Sequence, residues 1–392
     1  MAQKPPGKAD HSTWSGATLS AQALGLTDSS TGALVLPIHP ATTYLRDTDN
    51  QYRTGNVYSR DDNPTYKPVE GLLTKLEQGH DALLFGSGMA AAVAVFQALN
   101  PGDHVIAPKV MYWSLRNWLL GFATDWGLDI ELVDCSDTQA VKDAIQPGKT
   151  QLVWLETPAN PMWNLSDIEA IAALCKPHTI TLAVDSTCAT PVLSQPLTLG
   201  ADIVMHSATK YLNGHSDVIA GALVTAADSP LWQRIRTIRR SGGAVLSPHD
   251  SSQLSRGMRT LFIRVKQACQ NAELIAQALQ SHPQVARVHY PGLGQGSALA
   301  LAKRQMPGGF GAMISIELKG GAEAAIATAA TTQLWKRATS LGGVESLIEH
   351  RASIEGEGTP VPDNLLRLSV GIEDAVELLS DLRHAIEAAH DV

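Results

Sequence analysis

The segments QLVWLE (151–156), TLAVD (181–185) and DIVMHS (202–207) decide the fold of this chain of 392 residues. They are apolar without alternation, which is typical of strands that are buried on both faces of a sheet. Three earlier segments have the same character: DALLF (81–85), HVIAP (104–108) and DIELVD (129–134). Helical stretches lie between these strands, among them 89–99, 112–126 and 165–175. Strands that alternate with helices predict βαβ units, hence an α/β fold with a mostly parallel sheet.

The composition changes along the chain and predicts three regions. Residues 1–50 are rich in Gly, Ser, Thr and Pro with little periodicity, which predicts an N-terminal arm. Residues 51–243 carry the βαβ pattern and form the predicted large domain. Residues 244–392 form a predicted smaller α+β domain. Its segments are a long helical stretch at 251–280, the apolar runs VARVHY (285–290), GAMISIEL (311–318) and LLRLSVGIE (365–373), and a terminal helix.

The composition also excludes several classes of protein. With 44% hydrophobic and 17% charged residues, the chain is not predominantly disordered. The 30 basic and 38 acidic side chains give a net charge of −8, which argues against binding to nucleic acid or to anionic membranes. The longest apolar run, 90–96, is far shorter than the roughly 20 residues that a membrane helix needs.

The N-terminal sequence MAQKPPGKADHST has no apolar signal region, so we expect a cytoplasmic protein. The cysteines show neither a CxxC pair nor a histidine at metal spacing, and we expect reduced, mostly buried thiols and no metal site. They are Cys135, Cys175, Cys188 and Cys269.

Polar residues follow three successive strands at their carboxyl ends, where open α/β sheets bind ligands. They are Glu156 and Asn160 after the first, Asp185 and Thr187 after the second, and Ser207, Thr209 and Lys210 after the third. Carboxylates, hydroxyl groups and one lysine thus converge on one edge of the predicted sheet. We expect the functional site at this edge.

The segment GSGMAA (86–91) follows a strand directly and opens a helix. Glycines let the backbone approach an anion, and free N–H groups at a helix start point toward it, which predicts a phosphate cradle. The segment also matches the GxGxxA dinucleotide pattern, so a nicotinamide oxidoreductase is an alternative. That alternative requires an acid at the end of the next strand, and this strand ends in Pro108 and Lys109. A simple packing turn is a third interpretation.

Lys210 lies among small and hydroxyl residues in HSATKYLNGH (206–215). It is either a solvated lysine at a helix start or a pocket amine that forms an imine with a carbonyl cofactor. Asp185 precedes it by 25 residues and could hold a proton on a pyridine nitrogen. Ser207 and Thr209 could join the phosphate cradle. Together with GSGMAA, these residues specify pyridoxal phosphate.

From about residue 37 to 389, the chain resembles the Cys/Met-metabolism family of pyridoxal-phosphate enzymes. That family includes cystathionine γ-synthase, cystathionine γ-lyase, cystathionine β-lyase and methionine γ-lyase. The resemblance implies the type I fold of these enzymes, with an arm, a large cofactor domain and a small C-terminal domain, usually assembled as a homotetramer. The matching motifs are YSRDDNPT (58–65), GSGMAA (86–91), ETPANP (156–161), VDSTCATP (184–191), HSATKYLNGH (206–215), SLGGVESLIEH (340–350) and LRLSVGIED (366–374).

The resemblance implies a cofactor role for residues of several motifs. Lys210 would be the lysine that forms the Schiff base, and Asp185, with Thr187 nearby, would pair with the pyridinium nitrogen. Tyr112 would stack on the ring and act as an acid or base; taken alone, it is equally well a half-buried core residue. The phosphate would be held by the Gly88 and Met89 amides and by the Ser207 and Thr209 hydroxyls.

The resemblance also implies contacts with the substrate and with a second subunit. Arg367 would bind the substrate α-carboxylate as a bidentate fork, assisted by Asn160 and Ser340. Tyr58 and Arg60 would reach the phosphate of the neighbouring subunit. We therefore expect a homo-oligomer, a dimer of dimers, in which the active site is shared between subunits.

The chain departs from the family at several positions. Val57 and Thr339 stand where cystathionine-specific members usually carry acids, and Asp61 and Asp62 follow the interface arginine. The other departures are Trp113, where glycine is common, and HRASIEGEG (350–358), where His-Pro is usual. These differences are either family drift or a sign of a different distal group on the substrate. Asp61 could then bind a guanidinium, as in canavanine.

These observations predict a pyridoxal-phosphate-dependent lyase that acts on a small amino acid with a leaving group at Cγ or Cβ. The predicted reaction is elimination or replacement on a sulfur amino acid of the cystathionine type, as in trans-sulfuration. The alternatives are a γ-lyase for canavanine, an aminotransferase on the same fold, the nicotinamide oxidoreductase and a non-catalytic cofactor-binding protein. The catalytic residues do not separate β- from γ-elimination.

Overall fold

The computed structural model describes residues 13–356 and 360–390. The larger of its two sheets has seven strands: β1 (Asp81–Phe85), β2 (His104–Pro108), β3 (Asp129–Val133), β4 (Thr150–Glu156), β5 (Thr181–Asp185), β6 (Ile203–His206) and β7 (Gly221–Thr225). Their order in the sheet is β1–β7–β6–β5–β4–β2–β3. Only β7 is antiparallel to its neighbours, β1 and β6. The expected α/β class with a mostly parallel sheet is confirmed.

The second sheet comes from the C-terminal part of the chain. Its strands are β8 (Val285–His289), β9 (Met313–Leu318), β10 (Lys336–Arg337), β11 (Leu347–His350) and β12 (Leu365–Ser369). They follow the order β10–β11–β12–β9–β8, and every pair except β10 with β11 is antiparallel. The smaller α+β part of the predicted fold is therefore present.

Helices connect and cover both sheets. The helices before the second sheet are α1 (Gly16–Gln22), α2 (Lys67–Leu76), α3 (Gly88–Gln97), α4 (Trp113–Trp118), α5 (Thr138–Ala144), α6 (Ile168–Cys175), α7 (Thr190–Leu193), α8 (Pro230–Gly242), α9 (Pro248–Met258) and α10 (Leu261–Leu279). The later ones are α11 (Gly296–Gln305), α12 (Gly321–Thr331), α13 (Ala352–Glu355) and α14 (Ala375–His390). No helix in the described ranges is both long and apolar enough to cross a membrane.

The large sheet is buried on both faces, as its apolar strands predict. On β4, Leu152 and Trp154 pack into the cluster that contains α3, whereas Val153 and Leu155 pack into the cluster that contains α6. Trp154 also packs against Phe96 of α3, with ring centroids 5.1 Å apart. A third apolar cluster joins α2 and β7 through α10 to β9 and β12. The two sheets therefore share one apolar core.

Three features differ from the sequence-based expectation. Strand β7 was not predicted, although it lies between β1 and β6 in the sheet. The single helix expected over 251–280 is two helices, because the Gly257 carbonyl at the end of α9 accepts hydrogen bonds from Thr260 Oγ1 and Arg264 Nη2. The N-terminal arm contains α1, whose Leu19 is buried in the shared core. The domain limits at residues 50 and 243 stay a prediction.

The unpredicted strand β7 offers a test of the fold. Leu223 lies at its centre and is fully buried, so Leu223→Ala should lower the free energy of unfolding by roughly 3–5 kcal/mol. Leu274→Ala, at a residue of α10 that is 41% exposed, should lower it by less than about 1 kcal/mol. Equilibrium urea denaturation followed by circular dichroism measures both. Equal losses in the two variants would contradict the position of β7 in the core.

Candidate active site

A cavity of about 260 Å³ lies beyond the carboxyl ends of β4, β5 and β6, at the start of α3. The sheet edge that was expected to carry the site therefore borders an enclosed space. Nine of the residues proposed from the sequence line it: Gly88, Met89, Tyr112, Asn160, Asp185, Thr187, Ser207, Thr209 and Lys210. The register of the parallel strands explains this convergence, because Glu156 pairs with Asp185, and Asp185 pairs with Met205.

Lys210 follows β6 in a turn that places its amine in this cavity. Its backbone N–H donates to the Ser207 carbonyl at 3.0 Å, and its Nζ donates to Ser340 Oγ at 2.7 Å. Burial, followed by the positive charge of Arg367, lowers the pKa of the Lys210 amine to about 8. At pH 7 roughly a tenth of this lysine is therefore the neutral amine, which can act as a nucleophile or base, whereas an ordinary lysine is almost fully protonated.

Asp185 ends β5 and is tied to the next strand through Thr187. The backbone N–H and the hydroxyl of Thr187 donate to Asp185 Oδ1 at 3.0 and 2.5 Å. Thr187 Oγ1 in turn accepts from the Ser207 N–H at 2.8 Å. Burial raises the pKa of Asp185, although both Thr187 hydrogen bonds oppose the shift. A cation placed next to this carboxylate would favour its ionised form.

The start of α3 forms a compact turn around Gly88. Ser87 caps the helix by accepting from the Ala90 N–H at 3.0 Å. A Cβ added to Gly88 would lie 2.8 Å from Ser207 Oγ, and a Cβ added to Gly221 would lie 2.1 Å from the Ser87 carbonyl oxygen. Only glycines fit these two positions, and the start of α3 beside the cavity favours an anion. The Thr209 hydroxyl lies nearby and exchanges hydrogen bonds with the backbone of Ala220.

Glu156 is a site residue whose role the sequence analysis did not recognise. It is buried at the end of β4 and accepts hydrogen bonds from the Tyr112 N–H at 2.8 Å and the Asn160 N–H at 2.9 Å. Burial, followed by the charge of Asp185, raises its pKa. Glu156 thus fixes the backbone of two predicted site residues. Its position at the end of a buried strand was the available signal.

Arg367 lies on β12 and is only 4% exposed. Its Nη1 donates to Asn160 Oδ1 at 3.3 Å, and its Nη2 donates to the Ser340 carbonyl at 2.8 Å. Nη2 also lies 2.6 Å from Glu349 Oε2. Burial, followed by the charge of Arg351, lowers the pKa of Arg367 to about 10. The structure thus brings together the three residues that the resemblance assigned to carboxylate binding, with Glu349 as an unforeseen fourth.

Tyr58, Arg60 and Asp61 lie outside the residues that line the cavity. Tyr58 is 43% exposed, and the Arg60 guanidinium stands 5.4 Å from the centre of its ring. Asp61 Oδ1 lies 2.9 Å from Arg240 Nε on α8. Within one chain, these three side chains therefore form a surface cluster that is separate from the site.

The groups at the cavity fit pyridoxal phosphate. The open start of α3 suits a phosphate, the buried carboxylate of Asp185 suits a protonated ring nitrogen, and the amine of Lys210 suits an aldehyde. The Cβ atoms excluded at Gly88 and Gly221 show that the turn leaves no room for side chains where a phosphate would approach the backbone.

The comparison with known proteins agrees with this geometry. The chain is 43% identical over 365 residues to a cystathionine gamma-synthase of Mycobacterium leprae, covering 92% of this chain and 93% of that protein. It is 41% identical over 371 residues to a cystathionine beta-lyase of Coxiella burnetii, covering 92% and 94%. The crystal structure of metB from Corynebacterium glutamicum superposes with a TM-score of 0.93 at 39% identity, over 97% of this chain and all of that chain (100%). The model of the family "Cys/Met metabolism PLP-dependent enzyme" matches residues 17–387. The chain belongs to the Cys/Met-metabolism family of pyridoxal-phosphate-dependent enzymes.

Proposed function

We propose that this enzyme breaks or exchanges the bond to a leaving group at Cγ or Cβ of a sulfur amino acid of the cystathionine type. One observation carries the proposal. Ser340 bonds to the Lys210 amine through its hydroxyl at 2.7 Å and to the Arg367 guanidinium through its carbonyl at 2.8 Å. An α-carboxylate held by Arg367 would therefore bring the neighbouring Cα within reach of the Lys210 amine.

The cofactor has a defined place in this proposal. Pyridoxal phosphate, when bound, supplies an electron sink that stabilises negative charge at the substrate Cα. The start of α3 at Gly88 and Met89, with the hydroxyls of Ser207 and Thr209, would hold its phosphate. Asp185 would hold the proton on its ring nitrogen, and Thr187 keeps that carboxylate oriented.

The remaining steps belong to side chains of this chain. Lys210, with its lowered pKa, removes the Cα proton. Arg367 and Asn160 orient the substrate through its α-carboxylate. Tyr112, whose backbone Glu156 fixes, would stack on the ring of the bound cofactor and deliver a proton to the leaving group. γ-Elimination needs a second proton removal, at Cβ, which the same lysine can perform.

The names of relatives support a sulfur substrate and leave the position of cleavage open. These names are cystathionine gamma-synthase, cystathionine gamma-lyase, cystathionine beta-lyase and methionine gamma-lyase. The canavanine alternative depends on Asp61, which already pairs with Arg240 at the surface. The sulfur substrate is therefore the better-supported choice.

A substrate panel tests the proposed function. Cystathionine, O-acylated homoserine, methionine, homocysteine and canavanine are assayed with the cofactor-loaded enzyme. We expect the highest kcat/KM with a sulfur amino acid or, when a thiol is added, with the acylated homoserine. Release of ammonia and a 2-oxoacid indicates elimination, whereas transfer of the amino group would indicate the aminotransferase alternative. A higher kcat/KM for canavanine would reject the sulfur substrate.

The pH dependence of cofactor capture tests the role of Lys210. Only a neutral amine attacks a carbonyl, and burial lowers the pKa of Lys210 to about 8. The rate at which the enzyme, freed of cofactor, captures pyridoxal phosphate should therefore rise with pH, reach half its maximum near pH 8 and then level off. An ordinary lysine would be less than about 1% neutral at that pH. Borohydride reduction followed by peptide mapping should locate the cofactor on Lys210.

Lys210→Ala is the control for this measurement. It should keep the fold, lose the reducible label and lose turnover by a factor of at least about 10². A label on Lys109, or a capture rate that still rises through pH 10, would contradict the assignment.

We also propose that the enzyme acts in the cytoplasm as a dimer of dimers with shared active sites. The four cysteines are all unpaired, which suits a reducing compartment. Exposed apolar side chains of the N-terminal arm, Leu34, Val35 and Leu45, suit burial against a second copy. Tyr58 and Arg60 do not line the active-site cavity of their own chain, which supports a role in that of a neighbouring one.

Mixing of inactive subunits tests the shared site. Arg60→Ala and Lys210→Ala should each be inactive alone, because each lacks one half of every site. After subunit exchange, mixed dimers contain one site with both residues intact, so up to about one quarter of the sites should recover activity if exchange is random. Mass spectrometry verifies the exchange. No recovery in verified mixed dimers would show that both residues act within one chain.

A further inference from the structure

Arg351 and Glu355, which follow β11, extend a buried chain of charges behind Arg367. The register of β11 with β12 places Glu349 directly opposite Arg367. Arg351 donates to Glu349 Oε2 at 2.7 Å through Nη1 and to Glu355 Oε1 at 2.7 Å through Nη2. Charges of alternating sign thus run from Arg367 through Glu349 and Arg351 to Glu355.

Both guanidinium groups bind the same oxygen of Glu349. Oε2 lies 2.6 Å from Arg367 Nη2 and 2.7 Å from Arg351 Nη1. The other oxygen, Oε1, is buried and has no hydrogen-bond partner in the described part of the chain. Glu349 therefore contacts Arg367 through one oxygen only, although a carboxylate beside an arginine usually prefers the bidentate arrangement.

This arrangement matters for the function proposed above, on which the inference rests, because a substrate carboxylate needs the donors of Arg367. A Glu349 freed from Arg351 would turn both oxygens toward Arg367 and compete with the substrate. Arg351 is itself only 2% exposed; its guanidinium donates to Glu349 and Glu355, so its hydrogen-bonded link to Arg367 is Glu349.

We propose that Arg351 is a positioning residue, which holds Glu349 by one oxygen and so leaves the donors of Arg367 to the α-carboxylate of the substrate. A residue without a cationic side chain at this position could not do this. The Arg351 guanidinium thus also balances the negative charge of Glu349.

Binding of two small ligands to the cofactor-loaded enzyme isolates the carboxylate. Glycine and methylamine both offer an amine, and only glycine offers a carboxylate. Titration followed by the visible absorbance of the cofactor gives both affinities without turnover. In Arg351→Gln, glycine should bind about tenfold more weakly, while the affinity for methylamine stays unchanged.

The double variant distinguishes positioning from a merely structural role. In Glu349→Gln/Arg351→Gln, the competing carboxylate is gone, so glycine affinity should return to the wild-type value or exceed it. If Arg351 and Glu349 simply hold Arg367 in place, the double variant should bind glycine as weakly as Arg351→Gln or more weakly. This result would overturn the proposal, as would an unchanged glycine affinity in Arg351→Gln.

Further variants separate the possible failures. Should Arg351→Gln not fold, the double variant, which removes one buried charge of each sign and so leaves the net charge of the buried chain unchanged, decides the question by the same comparison with wild type. Glu317→Gln is the matched control, since Glu317 lies in the same sheet and pairs with His289. Its affinity for glycine should equal that of wild type. A loss of affinity in this control would overturn the proposal, because it would show that removing any charge from this sheet weakens glycine binding. If Arg367→Ala keeps the wild-type affinity for glycine, the proposed role of Arg367 is wrong. If Arg367→Ala loses affinity and Arg351→Gln does not, only the proposed role of Arg351 is wrong.

Discussion

Burial of the Lys210 amine at the carboxyl ends of the parallel strands is the constraint on which the site depends. Removing an ammonium group from water is unfavourable, so the lysine responds with a lowered pKa. Burial also raises the pKa of Asp185 and Glu156 at the ends of β5 and β4. The site thus holds an amine and two carboxylates whose charges are all disfavoured by burial, and a ligand with charges of both signs stabilises each of them.

The parallel sheet and the second sheet supply different parts of the site. Strand register brings Glu156, Asp185 and Met205 side by side, although they lie up to 49 residues apart in sequence. The Ser340 segment and β12 come from the C-terminal part and supply Ser340 and Arg367, the groups proposed to bind the substrate carboxylate. Ser340 adopts a left-handed conformation with φ 96°, which is unfavourable for a serine. Its two contacts, with Lys210 and Arg367, explain why this conformation persists.

The sequence predicted the polar groups that follow apolar strands, because an unbroken apolar run marks a buried strand and the polar residues after it mark the end of that strand. Lys210 and Asp185 were found in this way. Strand β7 was not predicted because no helix separates it from β6 to mark a βαβ unit. The contact of Glu349 with Arg367 was not predicted for another reason: it depends on the antiparallel register of β11 and β12. No spacing along the chain encodes that register.

The hydrogen bonds of the site also indicate where substrate specificity can vary. At the floor of the cavity, each polar group holds another: Thr187 holds Asp185, and Glu156 holds the Tyr112 and Asn160 backbone. A substitution there leaves a buried partner unsatisfied, which destabilises the protein. Val57 and Thr339 are exposed, and exposed positions tolerate substitution with little effect on stability. The acids that the resemblance led us to expect at these two positions can therefore be absent while the floor remains intact. Residues at exposed positions can accordingly change without loss of stability, whereas the buried residues proposed to act at Cα cannot.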